Sequence, residues 1–269
     1  MLSFIVWDMD PTLFSIGSFE LRWYGLLFAA GFVCGYFIMA RIFKWENKPE
    51  ELLDALLLTM ILSTVLGARV GHYVFYEGYR FAEAPLKFIW EMLVPPYAGL
   101  ASHGASFGIL LGLYIFANKH KQAYLWTTDR LVITAALGGA FIRLGNLMNS
   151  EIVGKASDEP WAFLFVRNME FSQIPRHPAQ LYESLSCLVL FLILGGLYLK
   201  WKDKTPAGSL TGIFFAWIFS LRFFYEFLKE NQEAFEDQMS LNMGQWLSIP
   251  LVIFGLVILF RSFRKPAVA

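Results

Sequence analysis

The feature that most constrains this chain is a series of seven long apolar runs in which charged residues are rare. The runs lie at about 23–40, 54–76, 97–117, 131–148, 185–199, 208–227 and 246–260. A helix of about 20 mostly apolar residues spans the hydrocarbon core of a bilayer. The runs therefore predict an all-α polytopic membrane protein with seven transmembrane helices, built as one integral membrane domain over residues 1–269.

Composition excludes the classes of protein that such runs do not suit. Hydrophobic residues make up 57% of the chain and charged residues 16%, whereas soluble domains carry about 25% charged residues. Basic and acidic residues are equal in number, so no positive surplus points to nucleic acid. Cys34 and Cys187 lie in apolar runs without metal-ligand spacing. We expect neither a metal nor a cofactor.

The distribution of lysine and arginine predicts the orientation of the chain. The loops after the odd-numbered runs, together with the C-terminal tail, hold 12 of the 22 basic residues, and the opposite loops hold 6. Because cytoplasmic loops are enriched in basic residues, we expect the N-terminus outside and the C-terminus in the cytoplasm. The longest outside segment, 149–180, predicts a small periplasmic subdomain between the fourth and fifth spans.

Polar residues collect at the ends of the runs that this orientation places outside. They are Tyr24 in the first run, Arg69, His72, Tyr73 and Tyr76 in the second, His103 in the third, Arg143, Asn146, Asn149 and Glu151 at the fourth, His177 to Glu183 at the fifth, Arg222 and Glu226 in the sixth, and Gln245 at the seventh. An arginine at the centre of a spanning helix costs roughly 2.5–3.5 kcal/mol. We therefore expect these side chains to face a bundle interior or a wet cavity, with interfacial anchoring of helix ends as the alternative.

Several arginines beside histidines and amides suit an anion held in the membrane. Arginine binds phosphate through a planar fork of donors, and histidine serves as a general base near neutral pH. At this depth the available phosphate is a phospholipid head group. The residues predict an outward-facing phospholipid site, but they leave open a phospholipid or anion transporter and several phospholipid-dependent transferases. The cytoplasmic halves of the runs are nearly all apolar, which counts against a transporter.

One motif at the end of the fourth run carries a family resemblance. It reads Arg143-Leu144-Gly145-Asn146-Leu147-Met148-Asn149-Ser150-Glu151-Ile152-Val153-Gly154 and resembles the signature of the prolipoprotein diacylglyceryl transferase family. Further matches are Arg22 to Gly25, Arg69 to Gly71 with Tyr76, His103-Gly104, Arg176 to Glu183, Arg222 with Glu226, and Met243 to Gln245. The departures from the family pattern are Ile142, Leu147, Ala105, His72 and Lys229, where Gly, Phe, Gly, an aromatic residue and Arg are expected.

The resemblance implies a reaction and its partners. The diacylglyceryl group of phosphatidylglycerol moves to the thiol of the lipobox cysteine in a prolipoprotein signal peptide, a thioether forms and glycerol-1-phosphate leaves. This is the first step of bacterial lipoprotein maturation, at the outer face of the inner membrane.

Under this reading the expected catalytic residues are His103, as the base that activates the thiol, and Arg143 and Arg222, which stabilise charge on the departing phosphate. His72 and Glu151 are alternative bases. The expected substrate-binding residues are Arg143, Asn146, Asn149, Glu151, Tyr24, Arg69, Tyr76, Gly154, His177 and Glu226.

Overall fold

The computed structural model describes residues 4–17, 19–94, 99, 101–230 and 239–264. Its long helices are α1 (Trp23–Trp45), α2 (Glu50–Tyr76), α5 (Ser102–Lys119), α6 (Tyr124–Met148), α7 (Ala179–Trp201), α8 (Ser209–Tyr225) and α9 (Met243–Arg264), and two short helices, α3 (Arg80–Glu83) and α4 (Pro85–Leu93), lie between α2 and α5. The expected start of the third run at residue 97 and the tail residue Lys265 lie outside the described residues.

Each of the seven long helices overlaps one predicted span. Six of them, α1, α2, α6, α7, α8 and α9, are long and apolar enough to cross a membrane, and α5 is not among the six. The chain is thus a mostly helical, multi-pass membrane protein. The number of seven spans and the orientation remain predictions.

The start of α6 corrects one interpretation of the sequence. The fourth run was expected to begin at about residue 131, yet α6 already begins at Tyr124. Asp129 and Arg130 are fully buried in the structure. A buried polar cluster therefore occupies the N-terminal end of α6, the end that the predicted orientation places toward the cytoplasm, where nearly all residues were expected to be apolar.

Four short strands, β1 (Ile5–Trp7), β2 (Thr12–Ile16), β3 (Phe19–Arg22) and β4 (Phe163–Phe165), correct the all-α prediction. β2 and β3 form an antiparallel hairpin that leads directly into α1. β1 and β4 pair in parallel across more than 150 residues of sequence, and such a distant pairing leaves no local pattern to recognise.

The expected subdomain 149–180 packs on the end of α6 and on β1. Its buried residues Val153, Phe163 and Phe165 form an apolar cluster with Leu147 of α6, and Trp7 packs against this cluster. The indole of Trp7 also donates to the carbonyl of Leu147 at 3.0 Å. This packing fixes the position of the chain that follows α6. That part of the chain contains the second half of the best-matched motif.

The chain divides into two compact units, Ile42–Thr128 and the remainder. In the first, α2 and α5 approach closely at glycines: a Cβ atom on Gly67 would lie 2.5 Å from the carbonyl oxygen of Gly104, and one on Gly71 would lie 2.5 Å from the Cα of Gly104. Small residues at these positions let the helix backbones touch. The expectation of a single domain stays a prediction.

In the remaining unit, glycines again mark the helix contacts. A Cβ atom on Gly31 of α1 would lie 3.5 Å from the Cα of Gly138 in α6, and one on Gly212 of α8 would lie 2.8 Å from the carbonyl oxygen of Gly255 in α9. α7 packs against α8. The ends of α6, α7 and α8 carry the functional candidates described next.

Candidate active site

The end of α6 explains the spacing of the matched motif. The amide of Ser150 donates to the carbonyl of Leu147 at 3.0 Å, and the amide of Glu151 donates to that of Asn146 at 3.1 Å. With Ser150 at a φ of 54°, these two bonds make a Schellman motif, the common helix ending with one left-handed residue. The motif turns the chain back so that Glu151 faces Asn146.

Glu151 fills the place where a Schellman ending usually has an apolar contact. Its Oε1 accepts from Asn146 Nδ2 at 2.6 Å and lies 3.4 Å from Asn149 Nδ2. Its backbone carbonyl accepts from Gln180 Nε2 at 2.6 Å. Three expected site residues, Asn146, Asn149 and Glu151, are thereby brought together by one local turn.

Arg143 and Arg222 each form an ion pair with a glutamate from the Nε side of the guanidinium. Arg143 Nε lies 2.8 Å from Glu183 Oε2, and Arg222 Nε lies 3.7 Å from Glu226 Oε1. Arg143 also donates from Nη1 to Asn146 Oδ1 at 3.4 Å. Their side chains are 30% and 38% exposed. With Nε paired, the edge of each guanidinium that carries the two terminal nitrogens is the one that can form a two-pronged contact with a phosphate.

Lys229 joins the two arginine sites. Its Nζ lies 3.0 Å from Glu183 Oε1 and 3.3 Å from Glu226 Oε1, and its side chain is 5% exposed. The result is a chain of alternating charges from Arg143 through Glu183, Lys229 and Glu226 to Arg222. Glu183 and Lys229 were not among the expected site residues, although Glu183 ends the motif at 176–183 and Lys229 was noted as a departure.

Gly154 and His177 pack against the segment that carries Lys229. The amide of Gly154 donates to the carbonyl of His177 at 3.0 Å, and the amide of Lys155 donates to that of Leu228 at 2.7 Å. A Cβ atom on Gly154 would lie 2.6 Å from the carbonyl oxygen of His177 and 2.8 Å from that of Leu228. The structure thus gives the motif's last glycine a packing role beside Lys229.

The ring of His177 is oriented by two neighbours. The indole of Trp161 donates to the hydroxyl of Tyr182 at 2.9 Å, and that hydroxyl lies 3.2 Å from His177 Nδ1. An indole can only donate, so the Tyr182 hydroxyl oxygen is the acceptor of the Trp161 bond. The hydrogen bond between this hydroxyl and Nδ1 fixes the orientation of the His177 ring and leaves Nε2 on its other side.

Tyr24, in the first turn of α1, packs against α6 at Gly145, two residues after Arg143. A Cβ atom on Gly145 would lie 2.7 Å from Cδ2 of the Tyr24 ring, so the absence of a side chain at Gly145 lets the ring approach. Tyr24 belongs to the same unit as the charged chain.

Buried acceptor atoms add to the polarity of this end of the unit. Asn149 Oδ1, Ser150 Oγ and Gln180 Oε1 are buried and find no hydrogen-bond partner among the described residues. Buried polar atoms without partners are rare and costly in folded proteins. These three mark the turn after α6 as a place suited to a polar ligand.

The other expected site residues belong to the unit Ile42–Thr128. Arg69 is buried and donates to the carbonyls of Glu91, Met92 and Gly99 at 2.6, 3.2 and 3.3 Å. These contacts use its guanidinium to organise the chain between α4 and α5. A substrate-binding role for Arg69 remains a prediction.

His72, Tyr76 and His103 are more open to their surroundings. His72 Nε2 lies 3.0 Å from Glu77 Oε1, and a hydrogen bond from Arg80 lowers the pKa of Glu77 below its ordinary value, with His72 contributing in the same direction. Tyr76 is exposed, and so is His103 in the first turn of α5. Of the candidate bases, His72 is thus already engaged by a carboxylate.

Comparisons with known proteins agree with the resemblance in the motifs. Residues 11–261 match the family model described as prolipoprotein diacylglyceryl transferase. A protein of Chloroherpeton thalassium is 42% identical over 98% of this chain and 96% of its own length, and one of Tolumonas auensis is 41% identical over 98% and 99%. A third, from Bacteroides fragilis, is 39% identical over 100% and 99%. All three are named phosphatidylglycerol–prolipoprotein diacylglyceryl transferase.

Proposed function

The chain belongs to the prolipoprotein diacylglyceryl transferase family, and we propose that the charged chain at the ends of α6, α7 and α8 is where it binds the phosphate of phosphatidylglycerol. It is a transferase that acts in the first step of lipoprotein maturation. The observation that carries the proposal is the shared arrangement of Arg143 and Arg222, in which each Nε forms an ion pair with a glutamate oxygen, at 2.8 and 3.7 Å.

That geometry suits a phosphodiester whose charge grows during reaction. The bond between the diacylglyceryl carbon and its phosphate oxygen breaks, and the electron pair leaves with glycerol-1-phosphate. Two preorganised guanidinium groups stabilise this charge without rearrangement, and one such contact is worth roughly 10²–10³-fold in rate. Asn146, Asn149 and Glu151 orient the head group or the arginines, and Tyr24 lines the same end of the unit.

The attacking group comes with the second substrate. The thiol of the lipobox cysteine has an ordinary pKa near 8.5, so it must lose a proton before its sulfur bonds to the diacylglyceryl carbon. We propose that His103, which is exposed at the start of α5, acts as the base that accepts this proton. The sulfur forms the thioether as the carbon–oxygen bond breaks.

Reconstitution tests the function and the base together. Purified protein in vesicles containing phosphatidylglycerol should lipidate a lipobox peptide, but not a peptide in which serine replaces the cysteine. Lipidation of small thiols irrespective of peptide would favour another phospholipid-dependent transferase, and lipid movement between leaflets without peptide would favour a transporter.

In the same assay His103→Gln should slow transfer by about 10²–10⁴-fold, the usual contribution of a general base, while phosphatidylglycerol binding is retained. The matched variant is His72→Gln, which should keep at least a tenth of the activity. Near wild-type turnover of His103→Gln beside a dead His72→Gln would reverse the assignment.

The orientation is also a proposal. The basic residues in the loops support seven spans with the N-terminus in the periplasm, the C-terminus in the cytoplasm and the segment 149–180 as a periplasmic subdomain. In this orientation the active site faces the outer side of the inner membrane. An alkaline phosphatase fused after Lys265 should be inactive, and an active fusion would contradict the arrangement.

A further inference from the structure

The ammonium group of Lys229 occupies an unusual place for a lysine. It is buried between two carboxylates, 3.0 Å from Glu183 Oε1 and 3.3 Å from Glu226 Oε1. Each of these carboxylates also faces an arginine, Arg143 in the first case and Arg222 in the second. Lys229 is thus the middle member of a chain that links both phosphate-binding candidates.

We propose that Lys229 is a positioning residue for the transfer reaction, which sets how Arg143 and Arg222 present their terminal nitrogens to the lipid phosphate. It acts through Glu183 and Glu226. This inference rests on the proposed function, since it assumes that the two arginines bind that phosphate.

Charge balance explains why a cation is needed between the carboxylates. The chain of five side chains holds three positive and two negative charges, which leaves one positive charge for the singly charged phosphodiester. Side chains of Glu183 and Glu226 are only 8% and 10% exposed, so their charges are weakly screened. Without Lys229 each carboxylate would be neutralised by its arginine alone.

The expected consequence is a change in how the arginines are held. A carboxylate whose second oxygen is freed favours a two-pronged contact with a guanidinium. Arg143 would then turn a terminal nitrogen toward the freed Oε1 of Glu183, beside its Nε contact with Oε2. At Glu226 only Oε1 is freed, because Oε2 accepts from Asn242, and that oxygen would draw a terminal nitrogen of Arg222. The terminal N–H groups that should bind the phosphate would then donate to the protein's own carboxylates.

The backbone holds Lys229 in place for this role. Gly154 and Lys229 form an isolated antiparallel bridge, and the neighbouring carbonyl of Leu228 accepts from Lys155 at 2.7 Å. Glu226 is fixed independently, because its Oε2 accepts from Asn242 Nδ2 at 3.0 Å. The matched motif that ends at Gly154 therefore fixes the lysine as well as Glu151.

The experiment compares Lys229→Met with Lys229→Arg and with the control Lys87→Met, whose lysine is largely exposed in the other unit. For each, kcat, the KM for phosphatidylglycerol, the KM for the peptide and the binding of phosphatidylglycerol vesicles are measured beside Tm. Lys229→Met should raise the KM for phosphatidylglycerol at least tenfold and leave the peptide KM within twofold. Lys229→Arg should restore the lipid KM to within about fivefold of wild type.

A purely structural lysine would give a different pattern. Activity would then fall only in step with the folded fraction, with the lipid KM unchanged in the molecules that fold, and the inference would be overturned. If Lys229→Met does not fold, Lys229→Gln decides, because its amide can still donate to a buried carboxylate but carries no charge; a wild-type lipid KM in that variant also overturns the inference. A wild-type protein that neither binds nor transfers phosphatidylglycerol would instead refute the proposed function and, with it, the role of Lys229.

Discussion

The two ends of α6 both carry buried polar residues, but the ends differ in how those residues are satisfied. At the N-terminal end, Asp129 accepts from the amides of Gly208 and Thr211 at 2.6 and 2.8 Å and from the Thr211 hydroxyl at 2.8 Å. The carboxylate thereby caps the first turn of α8, whose amides have no partner within their own helix. Asp129 is fully buried.

At the C-terminal end the polar groups are less completely used. Arg143 is held through Nε and remains about one-third exposed, and Asn149 Oδ1 and Ser150 Oγ are buried without partners among the described residues. In the first cluster both oxygens of the Asp129 carboxylate accept from protein groups, although the neighbouring Ser209 Oγ is buried without a described partner. In the second cluster the partly exposed Arg143 keeps a guanidinium edge that can meet a ligand. The contrast separates a polar cluster that holds helices together from one that binds a ligand.

Removal of Asp129 should destabilise the polar cluster at the N-terminal end of α6. Asp129→Ala leaves the amides of Gly208 and Thr211 buried without an acceptor, at roughly 1–3 kcal/mol for each unsatisfied donor. We expect a large fall in Tm in detergent and unchanged transfer activity per folded molecule. Asp203→Ala, at an exposed residue near the same end, is the control and should change Tm little. A stable Asp129→Ala protein with lost transfer would mean that the two ends do not differ as described.

An added methyl group at Gly154 should disrupt the polar cluster at the C-terminal end of α6 by steric overlap. The new Cβ would lie 2.6 Å from the His177 carbonyl oxygen, and forced overpacking costs typically about 1–3 kcal/mol. Because Gly154 pairs with Lys229, we expect both a lower Tm and a raised lipid KM. Gly138→Ala is the matched control, since a Cβ there meets no described atom within 4 Å. Equal effects of the two substitutions would remove the packing role of Gly154.

The smallest expected effect is a gain in stability at Ser150. This residue has a φ of 54° and a buried hydroxyl without a described partner. Ser150→Gly should raise the free energy of unfolding by about 0.5–1 kcal/mol, because glycine adopts the left-handed conformation without strain. Chemical denaturation in mixed micelles can measure the change. A clear loss of stability would show that the hydroxyl is structurally satisfied, which would make this end of α6 resemble the N-terminal end.

Local patterns in the sequence predicted the parts of this molecule that depend on neighbours along the chain. The apolar runs located all seven long helices, and the spacing of Asn146, Asn149 and Glu151 is the spacing of one helix ending. The contacts of Arg222 with Glu226 follow from helical periodicity in the same way.

Such local patterns do not predict contacts between segments that are distant in the sequence. Lys229 meets Glu183 across 46 residues of sequence, and Asp129 caps a helix that begins 80 residues later. Asp129 and Arg130 precede the expected start of the fourth run at residue 131, and only the position of α8 explains why the helix includes them. The pairing of β1 with β4 depends in the same way on the packing of the whole unit.

The most direct test of the central claim is Arg143→Lys, with transfer to a lipobox peptide and Tm measured on the same preparation. A lysine keeps the charge and a long stem but offers a point charge in place of the guanidinium fork. We predict a Tm close to wild type and transfer slowed by roughly 10²–10³-fold. Retention of most of the activity, or a loss that only follows the loss of stability, would contradict the assignment of Arg143 to the lipid phosphate.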